Sequence, residues 1–227
     1  MRTGPSRMRK AMAGYYTVRQ GDYLSKISSE NGFFDHTIIW NHPNNAELKK
    51  KRENPSVLYP GDQLFIPDKN QRDCQCPTDQ AHTFEVKRER LKLRLVLEDQ
   101  YENPVANAKC KIIIGAQDTE LTTDGKGKIE LEIPLETQTG ALVIESKETP
   151  YDGELFSLRV GDLDPVDTPS GQQARLNNLG YFAGSSEQPD DPLFLSAAEE
   201  FQCDHGLTVD GKIGPKTQAK LKQVHGC

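Results

Sequence analysis

Histidine and cysteine are the residues of this chain best suited to bind a metal ion or to attack a substrate. A zinc site needs several such ligands brought together by local structure. The histidines show no spacing of that kind, and Cys74 and Cys76 flank a single residue without a second close pair or a nearby histidine. We therefore expect no metal site, no cofactor and a set of reduced thiols, although Cys203 and Cys227 could meet if their geometry allows a bond.

Acid–base or nucleophilic catalysis is not indicated either. The acidic pairs Glu98-Asp99 and Asp190-Asp191 fall in predicted turns, where solvation accounts for them. The run His225-Gly226-Cys227 resembles a fragment of the cysteine site of L,D-transpeptidases, but that cysteine lies within a β-rich domain, whereas this one follows a predicted helix. A lytic transglycosylase needs a buried general-acid carboxylate in a fold of well over about 100 residues, and the three segments of this chain are already assigned to smaller units. We predict no catalytic residue and no enzyme.

Composition favours several small units over one large core. Of the 227 residues, 35% are hydrophobic and 27% are charged, with 18 Gly and 14 Pro spread along the chain. No apolar run approaches the roughly 20 residues of a membrane-spanning helix, so we expect no membrane insertion. The opening "MRTGPSRMRKAMAGYY" lacks the apolar stretch of a secretory signal. We expect synthesis in the cytoplasm without a signal peptide. The basic clusters at 7–10 and 49–52 are too short to indicate a nucleic-acid partner.

The first unit begins with "YTVRQGDYLSKI", an alternating strand, a Gly-Asp turn and the start of a helix. We predict that Asp22 caps this helix and that Asn31-Gly32 ends it. A second helix is predicted from Asp35 through Trp40, and "VLYPGDQLFIP" predicts a turn followed by a strand. The order is strand, helix, helix, strand. Trp40 is interpreted as a core residue rather than a sugar platform.

Several residues of this first unit match the pattern of a known module. Tyr16-Thr17-Val18 with Gly21-Asp22, and Tyr59-Pro60-Gly61-Asp62-Gln63-Leu64 with Ile66-Pro67, resemble the LysM module, a small βααβ unit that binds N-acetylglucosamine-containing glycans. The middle run "NHPNNAELKKKRENPS" is longer than usual in that family, and Tyr23 replaces its usual small hydroxyl residue. The resemblance implies a glycan groove between two lips. The candidate residues are Gln20, Gly21, Asp22 and Tyr23 on the first lip and Val57, Leu58, Tyr59 and Pro60 on the second.

A polar stretch without periodicity, "DKNQRDCQCPTDQAH", predicts a linker before the second unit. Beyond it, "LKLRLVLED" alternates, and short strand patterns recur about every 8–12 residues with turn residues between them, which indicates a β-sandwich. The run "DQYENPVANAKCKI … LTTDGKGKIELEIP" resembles bacterial immunoglobulin-like or carboxypeptidase-regulatory-like domains. That resemblance implies a spacer.

The sequence of the third unit predicts three helices. Ser170-x-x-Gln173 matches a capping box, a second helix fits 193–205, and Pro215 suits the first turn of a third. The runs "QARLNNLGYFAG" and "AAEEFQCDHGLTVDGKIGPKTQAKL" resemble the peptidoglycan-binding domain appended to many cell-wall hydrolases. "SSEQPDDPLF" stands in place of one of that family's turns. The resemblance implies a second wall-binding site at Gly180, Tyr181 and Phe182, where core packing is the favoured role of both aromatic side chains.

Together these patterns predict a multidomain α+β chain: a βααβ LysM module, an all-β immunoglobulin-like sandwich and an all-α three-helix bundle. The predicted boundaries are an N-terminal tail (1–14), LysM module (15–68), linker (69–82), β-sandwich spacer (83–162) and peptidoglycan-binding domain (163–227). The resemblances imply a non-catalytic protein whose partner is the glycan strand of peptidoglycan.

The run "GDLDPVDTPSGQQARLNNLGYF" and the order of the units also resemble proteins of contractile injection machines such as type VI secretion systems. That resemblance implies a component or cargo of such a machine, with spike or tail proteins as possible partners and action at the cell wall, the periplasm or a target cell. Two alternatives stay open. One is an intracellular adaptor that loads a spike or toxin through protein contacts, and the other is an unrecognised cell-wall hydrolase.

Overall fold

The computed structural model describes residues 13–69, 78–83, 90–99, 101, 103–147, 149–186 and 188–227. Most of the predicted N-terminal tail, most of the predicted linker, Cys74 and Cys76 lie outside these residues. The described chain forms a mixed unit of helices and two strands, then six strands, then three helices. This order confirms the predicted multidomain α+β class.

The N-terminal unit joins two short strands to a helical layer. It comprises β1 (Gly14–Thr17), α1 (Leu24–Glu30), α2 (Thr37–Trp40), a 3-10 turn (Pro43–Asn45), α3 (Ala46–Arg52) and β2 (Gln63–Ile66). The strands pair antiparallel, with Tyr16 opposite Leu64. The core residues come from all parts of the unit: Val18, Leu24, Ile27, Phe33, Ile39, Trp40, Leu58, Leu64 and Ile66. Trp40 is thus a core residue, as the sequence predicts.

The long middle run adds a helix to the predicted strand–helix–helix–strand order. Residues 43–52 form the 3-10 turn and α3, both absent from the prediction. Asn45 ties this insert to the sheet, because its buried amide group donates to the main-chain oxygens of Ile39 and Phe65 and accepts a hydrogen bond from the Phe65 amide. The insert is therefore fixed to the core at its start.

The prediction that Asp22 caps α1 is wrong. The residue at the N-cap is Tyr23, whose side chain makes no capping hydrogen bond. The Asp22 carboxylate turns back toward β1 instead and accepts a hydrogen bond from Tyr16. The predicted end of α1 is confirmed, since Asn31 is the C-cap and Gly32 has a φ of 73°.

The second unit consists of two antiparallel sheets. Its strands are β3 (Leu91–Val96), β4 (Lys109–Ile114), β5 (Gln117–Thr122), β6 (Lys128–Ile133), β7 (Thr139–Ile144) and β8 (Leu155–Arg159). One sheet is β3-β6 and the other has the order β5-β4-β7-β8. Side chains from both sheets share one core that includes Leu93, Ile112, Ile129 and Leu142, so the sheets form a sandwich. Strands β5 and β8 are absent from the sequence prediction.

The third unit comprises α4 (Pro169–Asn178), α5 (Pro192–Asp204) and α6 (Pro215–His225). The prediction that Ser170 starts the first helix is wrong by two residues. Thr168 is the N-cap, its hydroxyl accepts the Gly171 amide at 3.1 Å, and Pro169 takes the first helical position. Phe201 and Leu221 are fully buried between the helices. None of the helices in the described ranges is long and apolar enough to cross a membrane.

Candidate functional site

The first predicted lip, residues 20–23, lies between β1 and α1 and is held by Asp22. Its carboxylate accepts hydrogen bonds from the Tyr16 hydroxyl at 2.7 Å and from the Arg19 amide at 3.0 Å, and it pairs with Lys26 at 3.1 Å. Lys26 also donates to the main-chain oxygen of Gly21. Gly21 has a φ of 78°, a conformation that glycine adopts without strain. The lip is therefore held by side-chain hydrogen bonds, and Asp22 is engaged in making them.

The same contacts set the protonation of this lip. Burial acts to raise the pKa of Asp22, but the hydrogen bonds from Tyr16, the Arg19 amide and Lys26 bring that pKa below its ordinary value. Burial and the hydrogen bond to Asp22 raise the pKa of Tyr16 to about 12. At neutral pH the lip thus contains an ionised Asp22 and a neutral Tyr16 that donates to it.

The second predicted lip, residues 57–60, is held by Asp62. That carboxylate receives two hydrogen bonds from Arg52, at 2.7 and 2.9 Å, and a third from the Tyr59 amide at 2.9 Å. The Arg52 guanidinium also lies 5.5 Å from the centre of the Tyr59 ring. Burial acts to raise the pKa of Asp62, yet the bonds from Arg52 and Tyr59 lower it overall. The sequence patterns did not single out Arg52, because its partner lies ten residues away.

The structure divides the eight lip residues into two groups of four. Gln20 is exposed, and Gly21, Tyr59 and Pro60 are partly exposed. The other four, which are Asp22, Tyr23, Val57 and Leu58, are buried. Any ligand of this surface meets the first group and cannot reach the second without a change in the arrangement of the chain.

Tyr23 is buried where the N-terminal unit meets the β-sandwich. Its side chain is 3% exposed, and its hydroxyl donates a hydrogen bond to the main-chain oxygen of Leu135. Gly161 lies against the Tyr23 ring. Burial, followed by the charges of Glu136 and Glu30, raises the pKa of Tyr23 to about 12.

The second lip faces the helical unit. Arg52 lies 3.7 Å from Asp167, and Glu53 forms an ion pair with Lys222 at 2.9 Å. A cavity of about 220 Å³ lies between the two units and is lined by Val57 on one side and by Val166 on the other. The first predicted lip therefore contacts the chain outside the N-terminal unit, and Val57 of the second lip borders a cavity shared with the helical unit.

The predicted second site follows α4, and its three residues differ in exposure. Gly180 is exposed with a φ of 90° and terminates the helix. Tyr181 is buried, packs edge-on against Phe201 and donates to Asp204 at 3.1 Å. Phe182 is 74% exposed. The interpretation of both aromatic side chains as core residues is confirmed for Tyr181 and wrong for Phe182, whose exposed ring is available for a ligand.

The run from Asp210 to Thr217 is organised by Gln202, a residue that sequence reasoning missed. The buried Gln202 side chain accepts the Asp210 and Gly211 amides at 2.9 and 3.0 Å. It donates to Asp210 Oδ1, to the Lys212 main-chain oxygen and to the Thr217 hydroxyl. One side chain thus fixes both ends of the Asp-Gly-x-x-Gly-Pro-x-Thr loop.

A cysteine and a histidine meet at the end of α6. His225 Nδ1 lies 3.2 Å from Cys227 Sγ, and Nε2 lies 3.0 Å from the Asn178 amide nitrogen. Burial raises the pKa of the Cys227 thiol and, with the charge of Arg175, lowers the pKa of His225 to about 4. Both groups are neutral at pH 7, and the nucleophilic form of cysteine is the thiolate. The pair is poorly set for nucleophilic attack.

Thiols and metal ligands are otherwise separated. Cys110, Cys203 and Cys227 are free cysteines, so Cys203 and Cys227 do not form a bond here. Within the described ranges no group of three or more His, Cys, Asp or Glu residues is placed to hold a metal ion.

Two family models match the chain. Residues 172–221 match the family described as "Putative peptidoglycan binding domain", and residues 16–33 match the LysM domain. The second match covers the first lip and stops before the second. The two matches span less than half of the chain. Comparison with curated proteins and with solved structures found no significant match. The two family matches support a peptidoglycan-binding protein.

Proposed function

We propose that this protein is a non-catalytic peptidoglycan-binding protein that contacts the wall through two units. The observation that carries the proposal is the pair of family matches at opposite ends of one chain. The N-terminal unit would bind N-acetylglucosamine-containing glycan at its two lips, and the helical unit would bind wall polymer beside Phe182. Two weak sites on one chain gain by effective concentration when both reach the same polymer.

The exposed groups suit a sugar ligand. Gln20 supplies donors and an acceptor, the main chain at Gly21 and Pro60 adds polar groups, and the Tyr59 and Phe182 rings offer apolar surface for a sugar face or an acetyl methyl group. We assign binding, and not cleavage, to both units, because both family matches are to binding domains.

We further propose that the protein acts at the cell wall as a component or cargo of a contractile injection machine. The support is the resemblance of the run from Gly161 to Phe182 to proteins of such machines. Affinity purification of the chain from cells that produce it tests this step. Recovery of spike or tail proteins is the expected result, and their absence from a purification that recovers wall fragments would count against it.

The adaptor alternative has one observation in its favour, which is that the first lip already packs against another unit of the chain. Co-sedimentation of the purified chain with purified sacculi separates the two functions. A wall-binding protein pellets with the sacculi and releases no soluble fragments from them. An adaptor stays in the supernatant.

A further inference from the structure

We propose that the chain blocks its own glycan groove. The segment joining the sandwich to the helical unit, residues 160–167, is here named the junction segment. It contacts the first lip and lines the cavity beside Val57 of the second, so that a glycan spanning both lips would compete with the junction segment for the same surface. This inference rests on the proposed function, because it concerns the lips assigned there to glycan.

At the first lip, the junction segment sits where a sugar ring would have to enter. A Cβ placed on Gly161 would lie 2.6 Å from Cδ1 of Tyr23 and 3.1 Å from the main-chain oxygen of Gly21. A Cβ placed on Gly21 would lie 3.9 Å from Oδ1 of Asp162. Gly161 adopts a φ of 81°, which lets the chain turn against the lip. This contact leaves no room for a ligand over Tyr23.

At the second lip, the other end of the junction segment comes close. Asp167 lies 3.7 Å from the buried Arg52 guanidinium. Pro165, Val166 and Asp167 line the same cavity as Val57. The eight-residue junction segment therefore extends from one lip to the other.

The ion pairs that hold the units together in this arrangement are weak enough to break reversibly. The Arg52–Asp167 pair is long, and the Asp167 side chain is 60% exposed. In the Glu53–Lys222 pair the two side chains are 71% and 43% exposed. Exposed pairs of this kind contribute little. The main contribution is the burial of the Tyr23 ring and its hydrogen bond to Leu135. A ligand with affinity for the open lips could displace so limited a contact.

Competition of this kind lowers the apparent affinity for glycan by the fraction of molecules that are open. If about one molecule in ten is open, removal of the block raises the affinity about tenfold. The junction segment would then act as a built-in competitor that keeps the N-terminal unit from binding glycan until the units separate.

The first test uses the full chain with Glu53→Lys and Asp167→Lys, which replaces the two described ion pairs with like-charge repulsion against Lys222 and Arg52 and leaves all eight lip residues intact. The matched control carries Glu47→Lys and Glu200→Lys, two exposed positions with the same change in charge. Small-angle X-ray scattering reports separation of the units, and calorimetry with an N-acetylglucosamine hexamer reports affinity. The hexamer is uncharged, so the added charges do not themselves attract it.

We expect the first variant to have a larger radius of gyration and an affinity about threefold to tenfold above that of the wild type and the control. A separated variant that binds the hexamer with wild-type affinity would overturn the competition but leave the proposed function standing. If none of the three proteins binds the hexamer, glycan does not bind at the lips, and the inference fails together with that part of the proposed function.

The second test needs no substitution and covers the case in which the charge changes do not separate the units. A carbodiimide joins Glu53 to Lys222 as an amide with loss of water, because the two groups lie 2.9 Å apart. Mass spectrometry measures the yield of the crosslinked peptide with and without saturating hexamer. Competition predicts a lower yield with hexamer. An unchanged yield at saturation would show that glycan binds without displacing the junction segment, and would contradict the proposal.

Discussion

Gly161 packs against the ring of Tyr23 so closely that a Cβ at position 161 would lie 2.6 Å from Cδ1 of that ring. The two residues belong to different units, and each explains the other. Glycine at 161 leaves room for the ring, and the ring fills the space at the edge of the first lip. The contact also accounts for a tyrosine where the LysM resemblance implies a small hydroxyl residue. Here Tyr23 packs the N-terminal unit against the rest of the chain.

The ionisation of Tyr23 should report this contact. Its pKa is raised to about 12, chiefly by burial. The stability that the neutral hydroxyl gives to the closed arrangement is fully present below about pH 10, the ordinary tyrosine value, and is lost as the pH rises through 12. In an alkaline absorbance titration, Tyr23→Phe should remove one late-titrating tyrosine. With Glu53→Lys and Asp167→Lys in place, Tyr23 should titrate nearer pH 10. A late titration that persists in a variant whose radius of gyration shows separated units would contradict burial by the other units.

Arg52 should be a main determinant of the stability of the N-terminal unit. Arg52→Met leaves the buried Asp62 carboxylate without its bidentate partner, and such a loss costs about 3–5 kcal/mol in the free energy of unfolding. Lys51→Met is the matched control, because Lys51 lies 3.7 Å from the same carboxylate but is 60% exposed. It should cost under about 1 kcal/mol. Urea denaturation measures both, and equal losses would show that the buried geometry is unimportant.

Asp62 should make this unit sensitive to acid. Because the folded state lowers its pKa, its contribution to stability is present above the ordinary aspartate value of about 3.9 and is lost as the pH falls through the lowered pKa. Asp62→Asn should be less stable at pH 7 and should lose less further stability between about pH 4 and pH 2. Thermal unfolding monitored by circular dichroism across this range gives the comparison. Parallel pH profiles for wild type and variant would exclude this role.

Gln202 should hold the loop at 210–217 in the helical unit. Gln202→Leu leaves the Asp210 and Gly211 amides without their acceptor, and a buried unpaired amide costs about 1–3 kcal/mol. We therefore expect a loss of about 2 kcal/mol or more in the free energy of unfolding. Gln223→Leu, on the exposed side of α6, should change it by less than about 0.5 kcal/mol. Chemical denaturation measures the free energy of unfolding of both variants. A mild loss for Gln202→Leu would mean that the loop is held by other contacts.

Phe182 should matter for binding and not for folding. At 74% exposure its ring contributes little to the core, so Phe182→Ala should change the free energy of unfolding by less than about 0.5 kcal/mol. If the ring contacts wall polymer, loss of about 1–3 kcal/mol of binding free energy is expected, in the range for an aromatic contact residue. Tyr101→Ala is the control, since Tyr101 has the same exposure in the β-sandwich. If the two variants sediment equally with sacculi, Phe182 does not contact the wall polymer.

The sequence predicted the features that depend on local pattern. Pro215 at the start of α6 and Asn31-Gly32 at the end of α1 follow from backbone preferences that act within a few residues. The alternation of Leu91, Leu93 and Leu95 predicted β3, because a strand with one buried face repeats every two residues.

Features that depend on distant contacts were missed or misplaced. Asp22 was assigned as a cap, but the Tyr16 hydroxyl competes for its carboxylate across the β1–α1 turn. Strand β8 carries Leu155 and Phe156 exposed at a sheet edge, so it lacks a buried alternating face. The eight lip residues were predicted from the LysM resemblance. The packing of the junction segment against Tyr23 could not be predicted, since it depends on how separate units pack.

The most direct test of peptidoglycan binding is a sedimentation isotherm of the intact chain on purified sacculi, with soluble N-acetylglucosamine hexamer as competitor. Our account predicts saturable pelleting, partial release by the hexamer through the N-terminal lips, and residual binding through the helical unit that Phe182→Ala weakens. A chain that stays in the supernatant at every concentration of sacculi would contradict the account and would leave the adaptor function as the better explanation of the two units.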